Sequence, residues 1–261
     1  MRFPALLGYG FRPFFLAAGI AAVVFVPWWA LSLTGGVSLE TPWPPALWHG
    51  HEMIFGFIGA AMAGFLLTAV PSWTGQRGFG GWPLALLAGL WLLGRLVVAT
   101  SAHWPLLLTA AIDVAFFPAL AIMLLPALLQ ARNRNTPLLL VLLALCTANA
   151  TFYWGLGSAN WPLAHGALLA ALNVILLLLT IIGGRIVPAF TGSALKQQRA
   201  GRLIRTWPGV NALAIGAMVA VALVDLGFPQ TKVAGVFALV AAIVQGSAWH
   251  NGERGAHFAN R

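Results

Sequence analysis

The chain has 261 residues, of which 60% are hydrophobic and only 7% charged. A soluble domain carries roughly 25% charged residues to solvate its surface, so a water-soluble globule is excluded and lipid is the natural solvent. The formal net charge of +9 does not indicate nucleic acid, because the basic residues fall between apolar runs and form no stripe. The single cysteine, Cys146, lies inside an apolar run, which excludes a disulfide framework or a cysteine metal cluster.

A helix spans a bilayer with about 20 apolar residues. In chain order, such runs predict helices near 14–34, 46–70, 82–100, 104–130, 136–157, 163–186, 207–226 and 231–249. No small-residue cleavage site follows the first run, which therefore reads as a retained span. "TPWPP", "HWP", "NWP" and "TWPG" precede the second, fourth, sixth and seventh helices. Proline is accepted in a first turn, where its missing N–H has no partner to lose. The expected fold class is all-α: a polytopic helical membrane protein of about eight transmembrane helices.

Basic residues alternate between the connections. Arg2 and Arg12 precede the first span, Arg77 follows the second, and Arg132 and Arg134 follow the fourth. Lys196, Arg199, Arg202 and Arg205 follow the sixth, and Arg254 and Arg261 lie in the polar tail at 250–261. The other connections hold only Lys232. By the positive-inside rule this predicts a membrane protein with both termini cytoplasmic.

A motif returns: "VPSWTG" at 70–75 and "VPAFTG" at 187–192. Both copies are expected to end a span, the second and the sixth, at the cytoplasmic side. Upstream, both spans open with histidine, in "WHGHE" at 48–52 and "LAHG" at 163–166. The expectation is two parallel four-helix units, 1–130 and 136–249.

That topology gathers His49, His51, His103 and His165 at the non-cytoplasmic rim. Imidazole is the commonest metal ligand, and ionisable groups within spans mark function, so His49, His51 and His165 are candidate metal or cofactor ligands. His49 and His51 are about 200° apart around a helix and cannot chelate one ion together. One ring facing the bundle and the other facing solvent is the simplest arrangement. Glu52, three residues after His49, shares its face and could orient that ring or carry a proton. The plainer reading makes these residues interfacial polar groups beside Trp48, and it is preferred for His103 beside Trp104. Arg95 and Asp113 flank one short turn at similar depth; they read as a structural ion pair, or alternatively as a proton or anion relay. Gly56, Ala60 and Gly64 form a ridge of small residues suited to helix packing or to a flat ring. Met53 is a candidate soft ligand for copper.

"GFRPFFL", "WHGHEMIFGFIGAAMAGFLLTAVPSWTG", "IDVAFFPAL", "RNRNTPLLL" and "GGRIVPAFT" closely resemble the NnrS family of bacterial membrane proteins. The resemblance runs from about residue 8 to about residue 240. It implies haem and copper as cofactors and a role in nitric oxide metabolism and resistance to nitrosative stress, without a defined reaction. His49 or His51, with His165, would supply the ligands, with an open position for nitric oxide. The family plan runs to about twelve spans of ~20 apolar residues each, so a shortened chain is expected here. A homo-oligomer or a partner chain would then supply the missing helices. A transporter for metal or another small solute, or a non-functional short member, are the alternatives.

Overall fold

The computed structural model describes residues 5–130, 135–197, 208–227, 235–240 and 242–243. Every regular element described is helical. A 3-10 turn, Ala5–Gly8, leads into α1 (Phe11–Leu33). Next comes one continuous rod made of α2 (Pro45–His51), a π-helical segment (Glu52–Ile58) and α3 (Gly59–Thr74). α4 (Trp82–Ala99), α5 (Leu106–Val114), α6 (Phe116–Gln130), α7 (Leu138–Gly157), α8 (Trp161–Gln197) and α9 (Pro208–Gly227) follow.

Local chemistry explains these limits. Pro44 and Pro105 hold extended backbone with ψ of 134° and 135° immediately before α2 and α5, as the residue before a first turn must. Gly75 ends α3 at φ 67°, and Gly81 opens α4 at φ 71°; both are left-handed conformations that glycine adopts without a Cβ clash.

Among the described residues six helices are long and apolar enough to cross a membrane: Phe11–Leu33, Pro45–Thr74, Trp82–Ala99, Leu106–Gln130, Leu138–Gly157 and Trp161–Val187. They match the first six predicted spans. The seventh corresponds to α9, whose apolar stretch Asn211–Gly227 is shorter. The eighth, predicted at 231–249, lies largely outside the described residues.

One expectation does not carry over, and another is not established by the described helices. "VPSWTG" ends a helix at Gly75, whereas α8 continues through "VPAFTG" to Gln197. The echo therefore marks a helix end only once, since Gly75 takes the left-handed turn while the second copy stays helical. The chain also divides into compact units at Met1–Ala171 and Leu172–Arg261. That boundary falls inside α8, so the described helices do not establish two four-helix repeats meeting between 130 and 136.

In the first unit, α1 packs along the π segment and α3, α4 against α5 and α6, and α6 and α5 against α7. Phe14, Trp48, Phe55, Leu66, Leu84, Phe117, Leu120 and Phe152 form the core. Val23, Leu86, Leu107, Ile122 and Leu140 point outward, which suits a hydrocarbon solvent. The small-residue ridge serves helix packing at Gly64, where a Cβ would lie 2.9 Å from the Phe15 ring and 3.2 Å from Phe14 Cβ. In the second unit, Asn173 of α8 donates to Asp225 of α9 at 2.8 Å.

Candidate functional site

The π segment starts at Glu52, within the rod that carries the histidine pair. A π turn widens the helix and releases backbone groups from the α-helical ladder, and such turns concentrate at functional sites. The carbonyl of Gly56 in this segment accepts a hydrogen bond from Trp91 Nε1 of α4 at 3.1 Å. Gly56 also makes room for charge: a Cβ there would sit 3.1 Å from Glu52 Oε2 and 3.2 Å from Arg95 Nη1.

Around that opening five elements, α2, the π segment, α4, α5 and α7, contribute one network. Arg95 of α4 donates from Nη1 to Glu52 Oε1 at 2.6 Å, and from Nη2 to Asp113 Oδ1 of α5. Asn149 and Tyr153 of α7 donate to Asp113 Oδ2 at 2.8 and 3.1 Å. His51 closes the ring of contacts. Its Nδ1 lies 3.2 Å from Glu52 Oε1, and its Nε2 lies 3.1 Å from both Asn149 Oδ1 and Asp113 Oδ2. All six side chains are buried. Gly94 lets α5 come close, since a Cβ there would be 3.2 Å from Asp113 Oδ1.

Aromatic rings seal the network. Trp43, Phe55, Phe152 and Tyr153 surround the His51 ring at centroid distances of 5.7, 5.0, 4.7 and 5.7 Å. Arg95 lies four residues before the end of α4, and Asp113 seven residues after the start of α5. At 1.5 Å per residue the network sits about 6–12 Å below the helix ends. In hydrocarbon such a depth is tolerated only because each charge meets an opposite charge.

The predicted residues thus separate into two groups. His51, Glu52, Arg95 and Asp113 come together. His49 and His165 do not join them. Glu52 turns to His51 and Arg95 instead of to His49, because a buried carboxylate gains more from a permanent cation than from a neighbouring ring. Asn149 and Tyr153 were missed, although their only sequence signal was visible: polar side chains inside the apolar run "CTANATFYW". Met53 is half-buried in the π segment.

His49 is half-buried one turn above the network. Its ring stacks on Trp29 of α1 with centroids 3.9 Å apart and planes 16° apart, and its Nδ1 is buried without a hydrogen-bond partner. His165 is exposed on α8, between the buried Ala164 and Leu168. The two segments are neighbours, since a Cβ on Gly50 would lie 3.0 Å from Leu168 Cδ1. Among the described residues no hydrogen bond or ring contact joins the two imidazoles. His103 pairs with Glu40 at 3.3 Å on the exposed rim.

These donors can be compared with the cofactors that the resemblance implies. His51 offers no free lone pair, because each ring nitrogen already faces an oxygen of the network. His49 is the residue that would hold a haem iron, since it keeps a buried nitrogen that no protein atom satisfies. A copper ion takes several soft or nitrogen donors, and among the described residues no three His, Cys, Asp or Glu side chains group to hold one. The described donors therefore fit haem through one imidazole and do not by themselves fit copper.

No curated protein and no solved structure matches the chain. The model of the NnrS protein family matches residues 5–257, nearly its whole length. With long apolar helices and a histidine-bearing second rod among its described residues, this chain belongs to the NnrS family.

Proposed function

We propose that this chain is a haem-binding protein of the bacterial inner membrane, with cytoplasmic termini, that acts in the nitric oxide response. The observation that carries the reading is His49: among the described residues it alone joins an imidazole set in a helix bundle to a buried nitrogen without a partner. Haem iron, when bound, would supply an open coordination position for nitric oxide. His49 would hold the iron from the rim of α2. The His51–Glu52–Arg95–Asp113 network would lock α2, α4, α5 and α7 into a frame that keeps His49 in place and water out.

His165, on the adjoining start of α8, is the further imidazole available at this rim. Copper, the other metal the family implies, would need donors beyond the described residues, from a second copy or a partner chain.

The test is haem and metal analysis of protein purified in mild detergent from haem-supplied cells. A Soret band and a fixed haem-to-protein ratio are expected, both weakened in His49→Ala. Haem-free protein under those conditions would defeat the proposal. A second reading, a transporter for metal or a small solute, draws on the buried ionisable network, since such groups within spans line solute paths. Copper accumulation by vesicles containing the protein would favour it over haem binding.

A further inference from the structure

A metal-bound histidine is usually oriented by the hydrogen bond that its other ring nitrogen donates to a carboxylate or carbonyl. Among the described residues no hydrogen bond is found at either ring nitrogen of His49. Glu52, the carboxylate nearest in sequence, is engaged by Arg95 and His51. Something else must fix the plane of the ring.

Trp29 does so. Its indole lies face to face with the imidazole, 3.9 Å between centroids and 16° between planes. The stretch of α1 that carries Trp29 is held by its neighbours. The preceding residue, Trp28, packs edge-on against Trp48, the residue before His49, at 5.7 Å and 65°. Phe25, one turn earlier on α1, meets the same Trp48 at 6.0 Å and 77°. Two consecutive residues of α1 thus interlock with two consecutive residues of α2, one pair edge-on and the other stacked. Ser32 Oγ donates to the Trp29 carbonyl at 2.7 Å, and Trp28 Nε1 donates to Ser38 O at 3.4 Å. The last turns of α1 are pinned from both sides.

We infer that Trp29 is a positioning residue for the axial imidazole: its indole face sets the plane of the His49 ring about the iron–nitrogen bond, in place of the missing hydrogen bond. The inference rests on the haem reading above. It goes further by assigning the orientation of the ligand to an aromatic residue on another helix. A stacked ring constrains tilt and rotation together while leaving both nitrogens free, so the imidazole keeps its lone pair for the metal.

The test uses the full chain in detergent and two readouts that a merely structural role would not move. In haem-free protein the indole ring current shifts the His49 ring proton resonances upfield; Trp29→Leu abolishes that shift and Trp29→Phe keeps part of it. In haem-loaded protein, Trp29→Leu changes the ferric electron paramagnetic resonance spectrum and the iron–imidazole stretching band. Trp29→Phe stays close to wild type, and the control Leu31→Ala, at an exposed position on the same turn, leaves both unchanged. If Trp29→Leu does not fold, the graded pair Trp29→Phe and Trp29→Tyr is read instead, with His49→Ala as the ligand-free reference. Unchanged spectra in haem-loaded Trp29→Leu, or in both graded variants, overturn the inference while leaving haem binding intact. Wild-type haem content in His49→Ala also overturns it. Haem-free wild type is the separate result that removes the underlying reading.

Discussion

Arg95 and Glu52, 43 residues apart in sequence, meet at 2.6 Å in the buried interior, where the guanidinium also reaches Asp113. One side chain therefore ties the π segment to α4 and α5. Removing one partner of such a contact strands a charge in a low-dielectric surrounding, which costs about 3–5 kcal/mol. Arg95→Met is expected to lower thermal stability in detergent by that order. Arg95→Lys should rescue little, because an ammonium cannot span two carboxylates as a planar fork does. An Arg95→Met variant as heat-resistant as wild type would show that the network does not hold the helices together.

Glycine substitutions separate crowding from propensity. A Cβ on Gly56 would press within 3.1–3.3 Å of Glu52 Oε2, Arg95 Nη1 and Arg95 Cδ. Gly56→Ala should destabilise by about 1–3 kcal/mol through forced displacement of the ion pair. Gly89 has nothing within 4 Å of that position. Gly89→Ala should be neutral or stabilising by about 0.5–1 kcal/mol, the usual helix preference for alanine. Equal effects of the two in thermal unfolding would contradict the packing at Gly56.

The Trp91 indole satisfies the Gly56 carbonyl at 3.1 Å. Trp91→Phe keeps much of the ring and loses the donor. A loss of about 0.5–1.5 kcal/mol is expected, together with faster amide exchange across residues 52–58, measured by hydrogen–deuterium exchange. Unaltered protection of that segment would mean the π turn does not depend on the bond.

The sidedness rests on the alternation of basic residues. With Cys146 replaced by alanine, Gln76→Cys and Ser158→Cys place single thiols at exposed positions on opposite connections. A membrane-impermeant maleimide should label Ser158→Cys in intact spheroplasts and Gln76→Cys only after lysis. The reverse pattern would invert the assigned orientation.

The exposed pair His103–Glu40, 3.3 Å apart, gives a contrast with the buried network. Exposed ion pairs are worth about 0–1 kcal/mol, so His103→Ala should leave the unfolding temperature almost unchanged and haem content intact. A drop comparable to Arg95→Met would mean this rim contact matters far more than its exposure allows.

Much of the site was visible as residue types before it was visible as geometry. Glu52, Arg95 and Asp113 stand out because a charge in an apolar run needs a reason. Their partners were less legible. Spacing on a regular helix pairs Glu52 with His49, yet the carboxylate goes to His51 and to an arginine arriving from α4. Asn149 and Tyr153 are ordinary in a sequence and become members only when α7 packs beside α5. The repeated "VP-x-aromatic-TG" shows the opposite failure: the same letters stop one helix at Gly75 and pass through α8. A glycine permits a left-handed turn; it does not require one.

From its residues alone this chain declares lipid as its solvent, the first six spans and most of their limits, since these follow from runs of apolar side chains and from proline and glycine acting on their immediate neighbours. Which histidine is sealed among oxygens and which is left with a free nitrogen against Trp29 was decided only by tertiary packing. His51 and His49 stand two residues apart on one rod. The faces they present acquire opposite chemistry only from what α1, α4, α5 and α7 bring against them.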